Sequence, residues 1–219
     1  MLDYKKEFIA YSLECNVLKF GNFKLKSGRE SPYFFNTGLF NTGAKLAKLG
    51  EFYAKALIHS GLKPDVLYGP AYKGIPLVCA VSIAYARITG GDIPFAFNRK
   101  EIKDHGEGGE LVGANLAGNI VIVDDVITAG TSVKESVEII RCANGVPTGV
   151  LISLDRQEKA TGALQIKNGH SAIQEVMECF KIPVVSIISL EDIINYIETY
   201  DPGQLDVIIE YRRLYGVSC

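Results

Sequence analysis

The chain carries no uninterrupted apolar stretch approaching the roughly 20 residues needed to cross a bilayer. Its first 20 residues, MLDYKKEFIAYSLECNVLKF, mix acids and lysines into the apolar pattern and lack the apolar core of a secretory signal. A soluble cytoplasmic protein with no membrane partner is expected. Cysteine is sparse: five residues, at 15, 79, 142, 179 and 219, odd in number and widely spaced. There is no CxxC and no Cys/His cluster of zinc-ligand spacing, so the thiols read as small buried hydrophobes in a reducing compartment. An excess of one charge is missing too. The 23 Lys and Arg face 25 Asp and Glu, a formal net charge of −2. A near-neutral chain has no whole-molecule attraction for nucleic acid, although a local basic patch for a phosphate-bearing small molecule stays open. Neither GxxxxGK[ST] nor GxGxxG occurs, which counts against an ordinary nucleotide triphosphatase or dinucleotide enzyme.

What is present is a substantial core. Hydrophobic residues make up 47% of 219, enough for a single domain with at most a small subdomain. Asp3–Leu18 reads as an amphipathic helix with Phe8, Ile9, Leu13 and Val17 at helical spacing. Phe20–Asn36 alternates, turns and ends in the aromatic strand Ser31–Asn36, so about residues 1–40 are expected to form a hood distinct from the rest of the chain. Thr42–Ser60 is a helix with Thr42 as N-cap and Gly61 as stop. From there strands and helices alternate: strand Val66–Tyr68, helix Ile75–Arg87, strand Phe95–Phe97, strand Asn119–Val123, helix Thr131–Ala143, strand Gly149–Leu154, helix Ser171–Cys179, strand Val184–Ile188, helix Leu190–Glu198. That alternation predicts an α/β fold with a central parallel sheet covered on both faces. Asn98–Gly118 holds five glycines and eight charged side chains, counting His105. It reads as a long mobile loop, and loops of that length inside a domain are usually functional or disordered.

The most informative segment is Val121–Ser132, VIVDDVITAGTS. A run of β-branched residues suits a central strand, and it ends in Asp124 and Asp125. In open α/β sheets ligands sit beyond the carboxyl ends of the strands, so both carboxylates are expected at the crevice. Next come Val126 and Ile127, then Thr128, Ala129, Gly130, Thr131 and Ser132, opening a helix. Small side chains admit a ligand to the backbone, Gly130 permits a tight turn, and a helix N-terminus with three hydroxyls nearby favours an anion. The pattern fits a phosphate monoester, with two acids beside it for a ribose diol or a magnesium ion.

This segment resembles the phosphoribosyl pyrophosphate (PRPP) signature of type I phosphoribosyltransferases. The resemblance implies that Asp124 and Asp125 meet the ribose and that Thr128–Ser132 hold its 5′-phosphate. Gly69-Pro-Ala-Tyr-Lys-Gly74, between a strand and a helix, resembles the pyrophosphate loop of the same family and adds Tyr72 and Lys73; its glycines are expected to allow close approach to a ligand. Arg99-Lys100-Glu-Ile-Lys103-Asp-His105-Gly106 resembles the flexible catalytic loop of orotate phosphoribosyltransferases. That likeness implies a homodimer in which Arg99, Lys103 and His105 act on the partner's site, with Lys100 nearby. A lid of this kind would keep water from a reactive intermediate.

The stretch FGNFKLKSGRESPYFFNTG resembles the orotate-site segment of that group. It implies that Lys26, Phe34 and Phe35 meet the base, joined by Thr128 and by Arg156 from LDRQE, with Lys26 also serving PRPP. Taken by itself, Arg156 reads equally as an ion-pair partner of Asp155 or Glu158. The implied activity is Mg²⁺-dependent transfer of the phosphoribosyl group from PRPP to orotate. Lys73, Lys103, His105, Asp124 and Asp125 are then the catalytic candidates, and the metal is held mainly through substrate and water near Asp124 and Asp125. A phosphoribosyltransferase for another base, and a PRPP sensor without catalysis, are the competing readings. The tail, about Tyr200–Cys219, carries no motif, and His59 and His170 are assigned no role.

Overall fold

The computed structural model describes residues 1–25, 28–103, 109–160 and 169–217, with the backbone alone at 102, 103 and 109. Six strands form one sheet: β3 (Val66–Gly69), β4 (Phe95–Lys103), β5 (Gly109–Gly113), β6 (Asn119–Val123), β7 (Val146–Asp155) and β8 (Val184–Ser189), in the order β5-β4-β3-β6-β7-β8. The four pairings from β4 through β8 are parallel, and β5 returns antiparallel along the edge of β4. Side chains in a strand alternate between faces, and here each face supplies its own core. Tyr68, Ile120, Ile122, Val150 and Ile152 pack with Val133, Val137 and Ile140 of α4 (Thr131–Cys142) and with Ile173 and Val176 of α5 (Ala172–Phe180). Leu67, Val121, Val123 and Leu151 face the other way, into a cluster built from α1 (Asp3–Glu14), α2 (Gly43–Ser60), α3 (Gly74–Thr89) and α6 (Leu190–Tyr200). The expected sheet covered on both faces is therefore observed, with one antiparallel edge.

Local signals set many of the boundaries. Thr42 accepts a hydrogen bond from the Lys45 amide, and Gly61 ends α2 in the left-handed region at φ 75°. Ser171 and Ser189 each close a reciprocal capping box, with Gln174 and Asp192. The first helix is shorter than expected. It stops at Glu14, and Asn16 turns the chain at φ 59°. Leu18 instead opens β1 (Leu18–Lys24), which pairs antiparallel with β2 (Glu30–Phe35) as the hood hairpin. The apolar spacing that suggested a longer helix arises because Val17 and Leu18 are buried where the chain bends out of α1 and enters β1.

Two further segments depart from expectation. Asn98–Gly118 is not an open loop throughout: β4 runs on to Lys103 and β5 pairs back against it across an irregular register. Charged side chains belong on an exposed sheet edge, where they discourage pairing with another chain, so a stretch rich in charge and glycine fits a ribbon as well as a loop. The tail forms a short 3-10 turn and α7 (Leu205–Tyr215), which packs on β2. Among the described residues no helix is long and apolar enough to cross a membrane, and Cys15, Cys79, Cys142 and Cys179 are free thiols.

Candidate active site

A cleft of about 820 Å³ opens beyond the carboxyl ends of β6 and β7, bounded on its outer side by the hood. Lys73, Asp125, Val126, Ile127 and Thr128 line one wall, and Phe34, Phe35 and Arg156 line another. Residues up to 122 positions apart in sequence are thus brought to one place, between Phe34 and Arg156.

Strand alternation divides the two acids. Asp124 continues the parity of Ile120 and Ile122 and turns toward α4; Asp125 continues that of Val121 and Val123 and turns toward the hood. Asp124 is 8% exposed, and its carboxylate accepts from the Asp125 amide at 2.9 Å and from the Ser132 hydroxyl at 2.9 Å. Burial pushes its pKa up to about 6; the Asp125 charge adds to the rise, and the amide, Ser132 and Lys73 oppose it. Asp125 accepts from the Val126 amide at 2.8 Å, from Thr37 at 3.2 Å and from the Lys73 ammonium, and it alone of the pair lines the cleft. The expectation that both carboxylates face the crevice is corrected to one. Ser132, expected to serve the anion loop, is turned to Asp124 instead.

The backbone under the pair is held firmly. Tyr53 donates to the Asp124 carbonyl at 2.8 Å, and Ser153 donates to the Asp125 carbonyl from its amide at 2.9 Å and its hydroxyl at 2.6 Å. Tyr53, Ser153 and Thr37 escape a motif reading because each acts from a different element. Gly130 takes φ 71° at the head of α4, and no side chain caps that helix. Unlike α5 and α6, whose first turns are closed by capping boxes, α4 leaves its N-terminal amides and the Thr128 and Thr131 side chains, both exposed, available to an anion.

In the Gly69–Gly74 turn the glycines serve the turn itself. A Cβ on Gly69 would stand 2.3 Å from the Gly74 carbonyl oxygen, and one on Gly74 would stand 2.6 Å from the Pro70 ring. Asn98, buried in β4, accepts from the Ala71 amide at 2.8 Å and ties the turn to the sheet. This holds Lys73 over Asp125, while Tyr72 projects outward at 72% exposure and does not line the cleft.

Across the cleft Phe34 packs on Phe23 with ring centroids 5.5 Å apart, and Phe35 sets its edge against Phe8 in the core. Arg156 lies over the Tyr33 ring at 4.6 Å, donates to Glu158 Oε1 from Nε at 2.9 Å and holds Nη2 in ion-pair contact with the same oxygen at 2.8 Å. Of its two suggested ion-pair partners, Glu158 is the one observed. Arg99 and Lys100 line a separate groove between β4, β5 and α4, where Lys100 lies 4.0 Å from Glu135. They do not reach the cleft of their own chain. Lys26, His105 and the side chain of Lys103 lie outside the described residues. No group of three or more His, Cys, Asp or Glu side chains able to hold a metal occurs among the described residues.

Comparison with known proteins agrees with this architecture. Residues 39–179 match the family model described as "Phosphoribosyl transferase domain". The chain is 56% identical over 219 residues to the orotate phosphoribosyltransferase of Methylococcus capsulatus, covering 100% of both chains. It is 56% identical over 216 residues to that of Bordetella petrii, covering 96% of each. Among solved structures, the crystal structure of orotate phosphoribosyltransferase from Francisella tularensis superposes with a TM-score of 0.86 at 45% identity, covering 96% of this chain and 99% of that one.

Proposed function

The chain belongs to the phosphoribosyltransferase domain family and, within it, to the orotate phosphoribosyltransferases, and from that membership we infer that it transfers the 5-phosphoribosyl group of PRPP to orotate, giving orotidine 5′-monophosphate and pyrophosphate in pyrimidine biosynthesis. The observation that carries the reading is the pairing of two unlike walls in one cleft. One offers an uncapped helix N-terminus beside Asp125 and Lys73; the other offers an aromatic face and a guanidinium.

In this reading the α4 amides, Thr128 and Thr131 grip the 5′-phosphate, with Val126, Ile127, Ala129 and Gly130 giving it backbone access. Asp125 orients the ribose diol and lies near the positive charge that develops as the glycosidic bond loosens. Asp124 acts behind it, holding Ser132 and the first residue of the turn. Lys73 meets the leaving pyrophosphate. Phe34 and Phe35 flank the flat base and Arg156 binds its polar edge. Catalysis is then mostly positioning and fixed charge. Lys26, Tyr72, Lys103 and His105 enter this reading through the resemblance alone.

Mg²⁺ belongs to the same proposal. Magnesium is bound through one or two carboxylates plus substrate oxygens and water, and the residues present fit that mode: Asp125 offers one carboxylate at the cleft and no dedicated cage surrounds it among the described residues. When bound, the ion would neutralise pyrophosphate charge. A homodimer is also proposed. The 16 residues of α3, GIPLVCAVSIAYARIT, contain one charge, and Ile83 on its surface is 53% exposed. A helix apolar on all sides is normally buried, and a second copy would cover it. The placement of Arg99 and Lys100 away from their own cleft fits action on a partner. A cytoplasmic location is supported by the exposed free thiols Cys142 and Cys179.

The test is an assay for orotate loss with PRPP and Mg²⁺. Turnover that is lost with a chelator and restored by added Mg²⁺ is expected; absence of turnover under all conditions would remove the reading.

A further inference from the structure

Arg156 does not stand alone in the cleft wall. Glu158 Oε1 accepts from Arg156 Nε at 2.9 Å and from the Tyr33 hydroxyl at 3.0 Å and lies in ion-pair range of Arg156 Nη2, while Oε2 faces Arg29 Nη1 at 3.7 Å. The Arg156 guanidinium carbon stands 4.6 Å from the centroid of the Tyr33 ring, which meets Tyr211 of α7 edge-on with centroids 6.1 Å apart. Arg29, which also lines the cleft, stacks on Tyr215 at 5.0 Å. One carboxylate therefore organises two guanidiniums and a phenol drawn from the hood and from the chain after β7.

The backbone of this carboxylate is itself strapped down by the end of the chain. Gln157 takes φ 50°, its carbonyl accepts from the Val217 amide at 2.9 Å, and the Lys159 amide donates to the Tyr215 carbonyl at 2.9 Å. Glu158 forms an isolated bridge with Gly216, where a Cβ would stand 2.4 Å from the Arg212 carbonyl oxygen. The tail without a motif is thus the clamp on residues 157–159.

We propose that Glu158 is a positioning residue for the base: through its hydrogen bond and ion pair to Arg156, backed by Tyr33 and held by the C-terminal strap, it fixes the plane of the guanidinium that binds orotate. The inference rests on the reading of Arg156 as a base ligand. A guanidinium has five N–H donors in a rigid fork. The Nε bond and the ion pair to Glu158 orient that fork at the wall of the cleft that Arg156 lines. Without Glu158 the side chain keeps its charge and loses its direction. Base affinity should then fall while the PRPP side of the cleft is untouched.

Steady-state kinetics on the full chain test this. Arg156→Ala is expected to raise the orotate KM. Glu158→Gln, which keeps the shape, is expected to raise it about 10-fold, with the PRPP KM changed less than about 2-fold, as loss of uniform ground-state binding requires. The double variant should match Arg156→Ala alone, because residues that act through one another are non-additive. Tyr33→Phe, which removes only the phenol's bond to Glu158, should shift the orotate KM about 2- to 3-fold in the same direction. It decides the matter if Glu158→Gln does not fold. An unchanged orotate KM in Glu158→Gln, an equal rise in both KM values, or multiplying effects in the double variant would each overturn the inference while leaving the base role of Arg156 standing. For Tyr33→Phe, an unchanged orotate KM would count the same way. An unchanged orotate KM in Arg156→Ala would instead overturn that base role and the inference with it.

Discussion

At the scale of single residues, adjacent acids in one motif have been given different work by the pleat of a strand. Asp124 points at α4 and is buried against Ser132, whereas Asp125 points at the cleft with Lys73 and Thr37 around it. The difference has a pH signature. The Asp124 carboxyl sits at about 6 in the folded chain against an ordinary 3.8, chiefly through burial. The folded state thus holds this proton more tightly than the unfolded chain, so the charged form costs stability above pH 6. That cost is relieved as pH falls from about 6 toward 3.8. At about 1.4 kcal/mol per pH unit it amounts to no more than roughly 3 kcal/mol. Thermal melts should therefore show wild type gaining on Asp124→Asn as pH drops from about 7.5 to about 5. Asp125→Asn should lose on the order of 10²-fold in kcat/KM. A flat stability difference for Asp124→Asn would contradict this division of labour. The pairing of the acids was legible in VIVDDVITAGTS; their divergence needed the side-chain parity of β6, which only its neighbours in the sheet establish.

Among the elements, the turn from β3 to α3 shows how a loop can be built around two glycines that face each other. Gly69→Ala would force a Cβ against the Gly74 carbonyl, a backbone atom with no room to move. A cost of about 2 kcal/mol is expected from overpacking, or a fall of roughly 4–8 °C in Tm for a chain of this size. Calorimetry should find that fall together with a raised PRPP KM, since Lys73 rides on the same turn. Helix starts and stops such as Thr42, Gly61 and Ser171 could be read directly because capping is local chemistry. The β4–β5 ribbon could not, because its charges suit an edge strand and a loop alike. Nor could α7: its residues matter through Tyr211 and Tyr215, whose contacts with Tyr33 and Arg29 lie far away in sequence.

For the whole molecule, the question is whether one chain holds a complete site. Arg99 and Lys100 line a groove apart from the cleft, while Lys73 and Asp125 line the cleft itself. If the proposed homodimer shares residues across its interface, Arg99→Ala and Lys73→Ala should each be nearly inactive alone. Unfolded and refolded together in equal amounts they should recover roughly a quarter of wild-type activity, because half the dimers are mixed and each mixed dimer carries one intact site. No recovery would mean that both residues act within one chain. The transferred base is the point on which the functional reading turns, since the PRPP wall would suit any enzyme of the wider family, and among the described residues it is chiefly Phe34, Phe35 and Arg156 that speak for orotate. Initial rates with PRPP and Mg²⁺ in the presence of orotate, uracil, adenine or hypoxanthine test it most directly. Pyrophosphate release with orotate should run at least about 10³-fold faster than with any other base, the scale on which a site built to pair polar groups rejects a base that leaves them unpaired. Comparable or faster turnover of a purine or of uracil would contradict the assignment of this cleft to orotate.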